Sequence, residues 1–305
     1  MTTEQLTSLM NADSGAVMER DFLYYREQIV KAAELISAHA EERPVVLLAG
    51  PSGSGKTTTA LLIERELEQR GYVTHTLQMD NYFCPLSQEE IALLRQNKLD
   101  LEKPSRVDIP YFQAHLDKIL AGEEIELPRY DFKTSSRVFE GNTLRRKEGE
   151  LVIIEGIHAL NPEVSGHLEH TTRVYVSVRT RVTGRSGLVL HPSKIRLLRR
   201  LLRDRTGRGR TLHETIGMRQ KVDVGEQKYI MPFKPYAHCD IDSFYATELS
   251  IYRPYLMEDL ETLLPEHPDL EDVVEILREL PNLPSETVPH DSLLREFIGG
   301  SSLAY

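Results

Sequence analysis

Hydrophobic spacing changes period along this chain, and each change predicts an element. From Met18 to Glu42 apolar residues recur at Phe22, Ile29, Ala33 and Ile36, the spacing of a helix that lays one face on a core. Residues 1–17 show no such period and are expected to be irregular. After Pro44 the pattern turns to short apolar runs. "PVVLLAG" (Pro44–Gly50), "YVTHTLQMD" (Tyr72–Asp80), "LVIIEGI" (Leu151–Ile157) and "RVYVSVRT" (Arg173–Thr180) read as buried strands, and "CDIDSFYA" from Cys239 reads as a fifth. Helical stretches alternate with them. The expected fold is therefore α/β, a mostly parallel five-stranded sheet flanked by helices.

Two segments interrupt this alternation. Glu123–Arg146 reads as a small antiparallel β insertion of two or three strands with its turn at Glu140–Asn142. Placed over the C-terminal ends of the strands, it would wall a ligand cleft. In "KIRLLRRLLRDRTGRGR" (Lys194–Arg210), Arg196, Arg199, Arg200 and Arg203 fall within roughly a 100° arc of a helix, with leucines opposite. An Arg face followed by Gly207 and Gly209 suits an Arg-rich lid that closes on phosphates. A nucleic-acid-binding or solvated face is the alternative. Helices resume from Ser250. Three prolines, Pro281, Pro284 and Pro289, then break regular structure, leaving the last segment open between docking and moving free. The expected organisation is an N-terminal helical extension (1–43), a core (44–256) and a C-terminal helical tail (257–305).

Composition narrows the function classes. The 305 residues carry 28% charged and 40% apolar positions, ordinary for a globular chain. A net charge of −10 argues against non-specific nucleic-acid binding. Two cysteines, Cys84 and Cys239, supply neither a disulfide framework nor a metal quartet. No 18-residue apolar run or signal-peptide pattern stands in the sequence. A reduced, cytoplasmic setting with no membrane partner is the expectation.

The chemistry is concentrated after the first strand. "GPSGSGKTT" places Gly50, Pro51, Ser52, Gly53, Ser54, Gly55, Lys56, Thr57 and Thr58 between a strand and a helix, the context that a phosphate-binding P-loop requires. There, backbone amides and a helix N-terminus cradle phosphates. Lys56 reaches the β- and γ-phosphates, and the Thr57 hydroxyl is placed for Mg²⁺. Asp80, ending the second strand, can accept or orient the proton of an acceptor hydroxyl. Glu155 follows an apolar strand as a metal-holding acid does. His158, His213 and His238 lack ligand spacing and are taken as structural.

Six motifs in order, "GPSGSGKTT", "MDNYF", "ELPRYDFKTSSR", "IIEGIHAL", "RLLRRLLRDRTGRGR" and "KPYAHCDI", resemble the uridine–cytidine kinase family, relatives of phosphoribulokinase. The resemblance covers Val45 to about Leu256. It implies a P-loop kinase that uses ATP or GTP with Mg²⁺ to phosphorylate a nucleoside 5′-hydroxyl. Asp80 would be the general base, with Lys56 and Thr57 on phosphate and metal and Glu155 near the metal. Tyr130 would lie against the nucleobase, Arg200 and Arg210 would reach substrate, and Arg203 and Arg208 would belong to the lid. Tyr82 and Arg137, inside two of the motifs, join the substrate-side candidates.

The departures concern the acceptor. Glu102 stands where the family places a ribose-binding Asp, with Asp108 nearby. Ser135 stands where the family places a His for the pyrimidine edge, and "YAD" is broken as "YAHCD". A hydroxyl reads a different base edge from an imidazole. The expected partner is a small molecule, a nucleoside first. A sugar or sugar phosphate stays open through Arg137, Arg145 and Arg146, as does a non-catalytic ATP-binding regulator. Relatives commonly assemble, so a homo-oligomer stays open too.

Overall fold

Side chains of the central strands alternate between two cores, and that alternation fixes the layers. In chain order the elements are α1 (Thr3–Ser37), β1 (Val45–Ala49), α2 (Lys56–Gln69), β2 (Thr74–Gln78), α3 (Gln88–Arg95), α4 (Ile109–Ala121), β3 (Glu124–Asp131), β4 (Ser136–Arg145), β5 (Leu151–Glu155), α5 (Pro162–Ser165), β6 (Thr171–Ser177), β7 (Val182–Thr183), β8 (Val189–Leu190), α6 (Pro192–Gly207), α7 (Leu212–Gly217), α8 (Arg219–Tyr229), β9 (Cys239–Asp242), α9 (Glu248–Leu263), α10 (Glu271–Glu279) and α11 (Arg295–Ile298). The computed structural model describes the chain apart from Asn97, His167, Arg208, Tyr305 and the side chain of Arg95. β2, β5, β1, β6 and β9 form one parallel sheet in that order. Val46, Leu48, Ile153, Val174 and Val176 point to one core, shared with α1, α2, α6, α9 and α10. Val45, Leu47, Val152, Ile154 and Tyr175 point to the other, shared with α4 and the β3–β4 hairpin. Burial on both faces explains the continuous apolar runs.

The register positions the chemistry. Leu48 and Gln78 both lie opposite Glu155. The loop after β1, the turn after β2 and the end of β5 therefore meet on one edge of the sheet. Ligands of open α/β sheets bind at that edge.

Three expectations change and one left open is resolved. Residues 1–17 are helical: Thr2 caps α1 in a reciprocal box with Gln5, and Leu6, Met10 and Val17 are buried. The only irregularity there is a kink at Asp13, whose carboxylate accepts from the Ala16 amide at 2.9 Å. The insertion is a two-stranded hairpin whose turn lies between Asp131 and Ser136. Gly141, in the left-handed region, marks a bulge opposite the Glu126–Pro128 stretch instead, where proline supplies no ladder donor. Asp80 lies beyond β2, in a 3-10 turn, Met79–Tyr82. Finally, the chain end docks, burying Leu293, Leu294 and Phe297 completely. Among the described residues no helix is long and apolar enough to cross a membrane.

Candidate active site

The loop between β1 and α2 is shaped by contacts that exclude side chains. A Cβ on Gly50 would stand 2.1 Å from the Val176 carbonyl oxygen. Gly55 enters α2 at φ 88° and caps it with no side chain, leaving first-turn amides for another acceptor. The Ser54 amide closes the turn on the Pro51 carbonyl at 3.1 Å. Ser52, Lys56 and Thr57 face a cleft of about 1280 Å³. Thr58 is buried, and its amide donates to Glu296 at 3.3 Å, as does its hydroxyl.

Thr57 and Glu155 meet. The Thr57 hydroxyl donates to Glu155 Oε1 at 3.0 Å. Burial pushes the Glu155 carboxyl up to about 7, against the pull of Lys56 and with the repulsion of Asp80. A hydroxyl and a carboxylate this close form a hard-oxygen donor pair, which fits Mg²⁺.

Asp80, Glu102, Arg200, Arg203, Arg210, Tyr130 and Ser135 share the same cleft. Glu102 comes close because α8 carries Gly225, where a Cβ would stand 2.3 Å from the Glu102 Cβ. Oε2 of Glu102 and Nε and Nη2 of Arg200 are buried without hydrogen-bond partners. Burial lifts Glu102 to about 7, with Arg200 and Lys56 opposing and Asp80 adding. Unpaired polar atoms at this depth are costly unless a ligand completes them. Arg203 donates to Asp204 at 3.3 Å, and Arg210 lies 3.8 Å from the same carboxylate.

An aromatic wall stands opposite the phosphate loop. Tyr130 meets Phe83 and Phe132 edge to face, with ring centroids 5.7 and 5.2 Å apart. Its backbone amide is held by Asn81 Oδ1 at 3.1 Å. Arg106 donates to the Cys84 carbonyl at 2.7 Å and lies over Phe83 at 5.9 Å. Phe83, Phe132 and Arg106 were not among the sequence candidates. Phe83 and Phe132 sit inside "MDNYF" and "RYDF", where adjacency to a candidate was the available signal; Arg106 offered none. Ser135 has φ 52° and is the only non-glycine residue at positive φ among those described. Its side chain is hydrogen-bonded to Tyr130.

Three substrate-side candidates lie elsewhere. Tyr82 is buried beneath the cleft, its hydroxyl 3.2 Å from His115 Nδ1. Asp108 caps α4 and pairs with Arg137 at 3.0 Å. Arg137 is otherwise spent on the Tyr82 and Phe83 carbonyls, both at 3.1 Å, and on the Tyr111 ring. These three clamp the hairpin to the floor and do not line the cleft. Arg145 and Arg146 likewise hold carbonyls at the end of α4, those of Gly122, Ile119 and Leu120, so they do not supply a phosphate site in the cleft.

The arginine face of α6 is also corrected. Arg196, Arg199 and Arg200 are buried, because helices pack on both sides of α6. Arg199 is bidentate to Glu248 at 2.7 and 3.0 Å and reaches the Gly53 carbonyl at 3.3 Å. It braces the phosphate loop and does not close over it. Arg208 lies outside the described residues. His213, assigned no ligand role from spacing, lines the same cleft, with its Nδ1 3.4 Å from His267 Nε2 and 3.7 Å from Glu266.

Comparison with known proteins gives the same frame. Residues 45–250 match the Phosphoribulokinase / Uridine kinase family. A uridine kinase from Deinococcus deserti is 32% identical over 64% of this chain and 86% of its own. One from Lactobacillus helveticus is 30% identical over 64% and 85%. A solved structure described as a possible uridine kinase from Bacillus stearothermophilus covers 71% of this chain and 98% of its own, with 18% identity and a TM-score of 0.47.

Proposed function

The chain belongs to the phosphoribulokinase/uridine kinase family, and from that premise we propose that it transfers the γ-phosphate of ATP to the 5′-hydroxyl of a nucleoside. It is an ATP-dependent phosphotransferase with an alcohol group as acceptor. We take residues 44–256 as the unit that carries this chemistry, with 1–43 and 257–305 as its helical extension and tail.

One observation carries the nucleoside reading. A single cleft joins the phosphate loop to the Phe83–Tyr130–Phe132 aromatic wall, with Asp80, Glu102 and Arg200 between them. Aromatic faces suit a flat base, and unpartnered Glu102 and Arg200 suit ribose hydroxyls. Backbone amides of Gly53–Thr58 hold the donor phosphates, and Lys56 neutralises charge on the transferring group. Asp80 accepts the proton of the acceptor hydroxyl as its oxygen bonds to the γ-phosphorus. The bond from that phosphorus to the β,γ-bridging oxygen breaks, and ADP leaves with the electron pair. Arg203 and Arg210 stand where they can follow the phosphates. Mg²⁺, held by Thr57 and Glu155, would supply charge neutralisation between the phosphates.

The test is ADP release with Mg²⁺ and ATP or GTP against uridine, cytidine, adenosine, guanosine, inosine, ribose and ribulose 5-phosphate. Turnover with a nucleoside is expected. Turnover only with a sugar or its phosphate would overturn the base pocket, and donor binding without turnover on any acceptor would favour a regulator. Asp80→Asn should keep donor binding and lower kcat by about 10²–10⁴-fold. Near-normal turnover in that variant would remove Asp80 from the role of base.

A further inference from the structure

The chain end packs against the start of α2, at an amide that a donor needs. Ser292–Phe297 lies against the start of α2, more than two hundred positions away in sequence. Leu293 fills the space beside Gly55, where a Cβ would stand 2.4 Å from its Cδ1. Phe297 lies under the Arg199 guanidinium at 5.2 Å, and Asp291 pairs with Arg65 at 3.4 Å. These contacts set Glu296 on α2. Its Oε2 accepts from both the amide and the hydroxyl of Thr58.

That amide is not an ordinary one. α2 begins at Lys56, so the Thr58 N–H belongs to the first turn of the helix, and it donates to Glu296 at 3.3 Å. In a P-loop the amides of that turn, together with those of the loop, cradle the α- and β-phosphates. The helix N-terminus favours an anion there, and the anion in this structure is a carboxylate from the chain itself. Leu293, Leu294 and Phe297 are wholly buried, whereas Glu296 is half-exposed. The apolar side chains anchor the segment in the core, and the Glu296 carboxylate stands at the start of α2.

We propose that Glu296 is a residue of the donor site, an internal anion that occupies the Thr58 amide and must be displaced by the donor's α-phosphate. The proposal rests on reading Lys56–Thr58 as the phosphate cradle. It implies that donor affinity is set below what the loop alone would give. It also implies selectivity for donors whose phosphate chain is long enough to gain Lys56 and Thr57 contacts while displacing the carboxylate. ADP and AMP gain less for the same displacement.

The test is titration of the full chain with Mg²⁺ and a non-hydrolysable ATP analogue by calorimetry, with AMP in parallel. Glu296→Gln keeps size and hydrogen-bonding capacity but removes the charge. It should tighten the analogue on the order of tenfold, the scale of one charge-assisted hydrogen bond, and tighten AMP at least as much. Unchanged or weaker binding in a folded variant overturns the proposal and makes Glu296 a structural cap. If Glu296→Gln does not fold, Thr58→Val decides. It removes the hydroxyl that anchors Glu296 and keeps the amide, so tighter binding supports displacement and unchanged or weaker binding overturns it. Lys56→Ala separates this from the underlying assignment: donor binding that survives Lys56→Ala rejects the cradle itself, whichever way the Glu296 variants behave.

Discussion

Glu155 shows how a single residue trades stability for chemistry. Its carboxyl is buried and lifted to about 7, while in the unfolded chain it titrates near the ordinary glutamate value. Between those values the folded protein holds a proton that the unfolded chain has lost. The stability that this protonation gives is full below about 4.5 and is lost as pH rises through about 7. At pH 8 the folded protein therefore carries a buried charge. Glu155→Gln removes that charge and keeps an acceptor for Thr57. Without added nucleotide, the variant should match the parent near pH 5 and become more stable by on the order of 2–3 kcal/mol at pH 8, measured by urea denaturation at both values. Comparing variant with parent cancels the opposing titration of His115 and His158, both lowered by burial to about 4. The same variant should lose Mg²⁺-dependent turnover. A variant no more stable than its parent at pH 8 would show that Glu155 is already stabilised as the anion.

At the scale of elements, α6 decides whether the phosphate loop keeps its shape. Burial works against the Arg199 charge, yet Glu248 holds the guanidinium above its ordinary value. The pair is fully buried and ties α6 to α9, and Arg199 also grips the Gly53 carbonyl. Arg199→Met strands Glu248 and should cost about 3–5 kcal/mol, whereas pairing it with Glu248→Leu should recover much of that loss. Chemical denaturation of the three variants checks this; equal losses in the single and double variants would mean that Arg199 stabilises through its loop contact and not through its charge. The arginine arc was legible in the sequence because helical period is local. Its burial was not, because it depends on α9 and the tail packing over it. Strand, Gly-rich turn and helix were legible in full for the opposite reason: the phosphate loop is contiguous. The hairpin was legible as an insertion but not in register, since Gly141 could mark a turn or a bulge and only the pairing of Glu126 with Thr143 and of Pro128 with Phe139 decides. Phe83, Phe132 and Arg106 converge from three segments, and no local pattern announces that.

Across the whole molecule, the sheet edge carries the chemistry and the chain ends carry the shell. α1 lies along the first core, and Thr7 near its start donates to the Glu279 carbonyl at the end of α10. The final segment then packs against Gly55 and the start of α2. This division gives two phenylalanines opposite consequences. Phe297 is wholly buried in the shell, while Phe132 is 57% exposed at the cleft. Phe297→Ala leaves a cavity and should lower unfolding free energy by about 3–5 kcal/mol. Phe132→Ala removes little buried surface and should stay within about 0.5 kcal/mol of the parent. Function should run the other way. Losing one face of the proposed base pocket should raise the KM for a nucleoside acceptor on the order of tenfold, the scale of one lost aromatic stacking contact, with kcat little changed because Asp80 and Lys56 are untouched. Urea denaturation and steady-state kinetics on both variants decide the matter. A Phe132→Ala enzyme with unaltered KM would place the acceptor away from the aromatic wall and shift the acceptor towards a sugar.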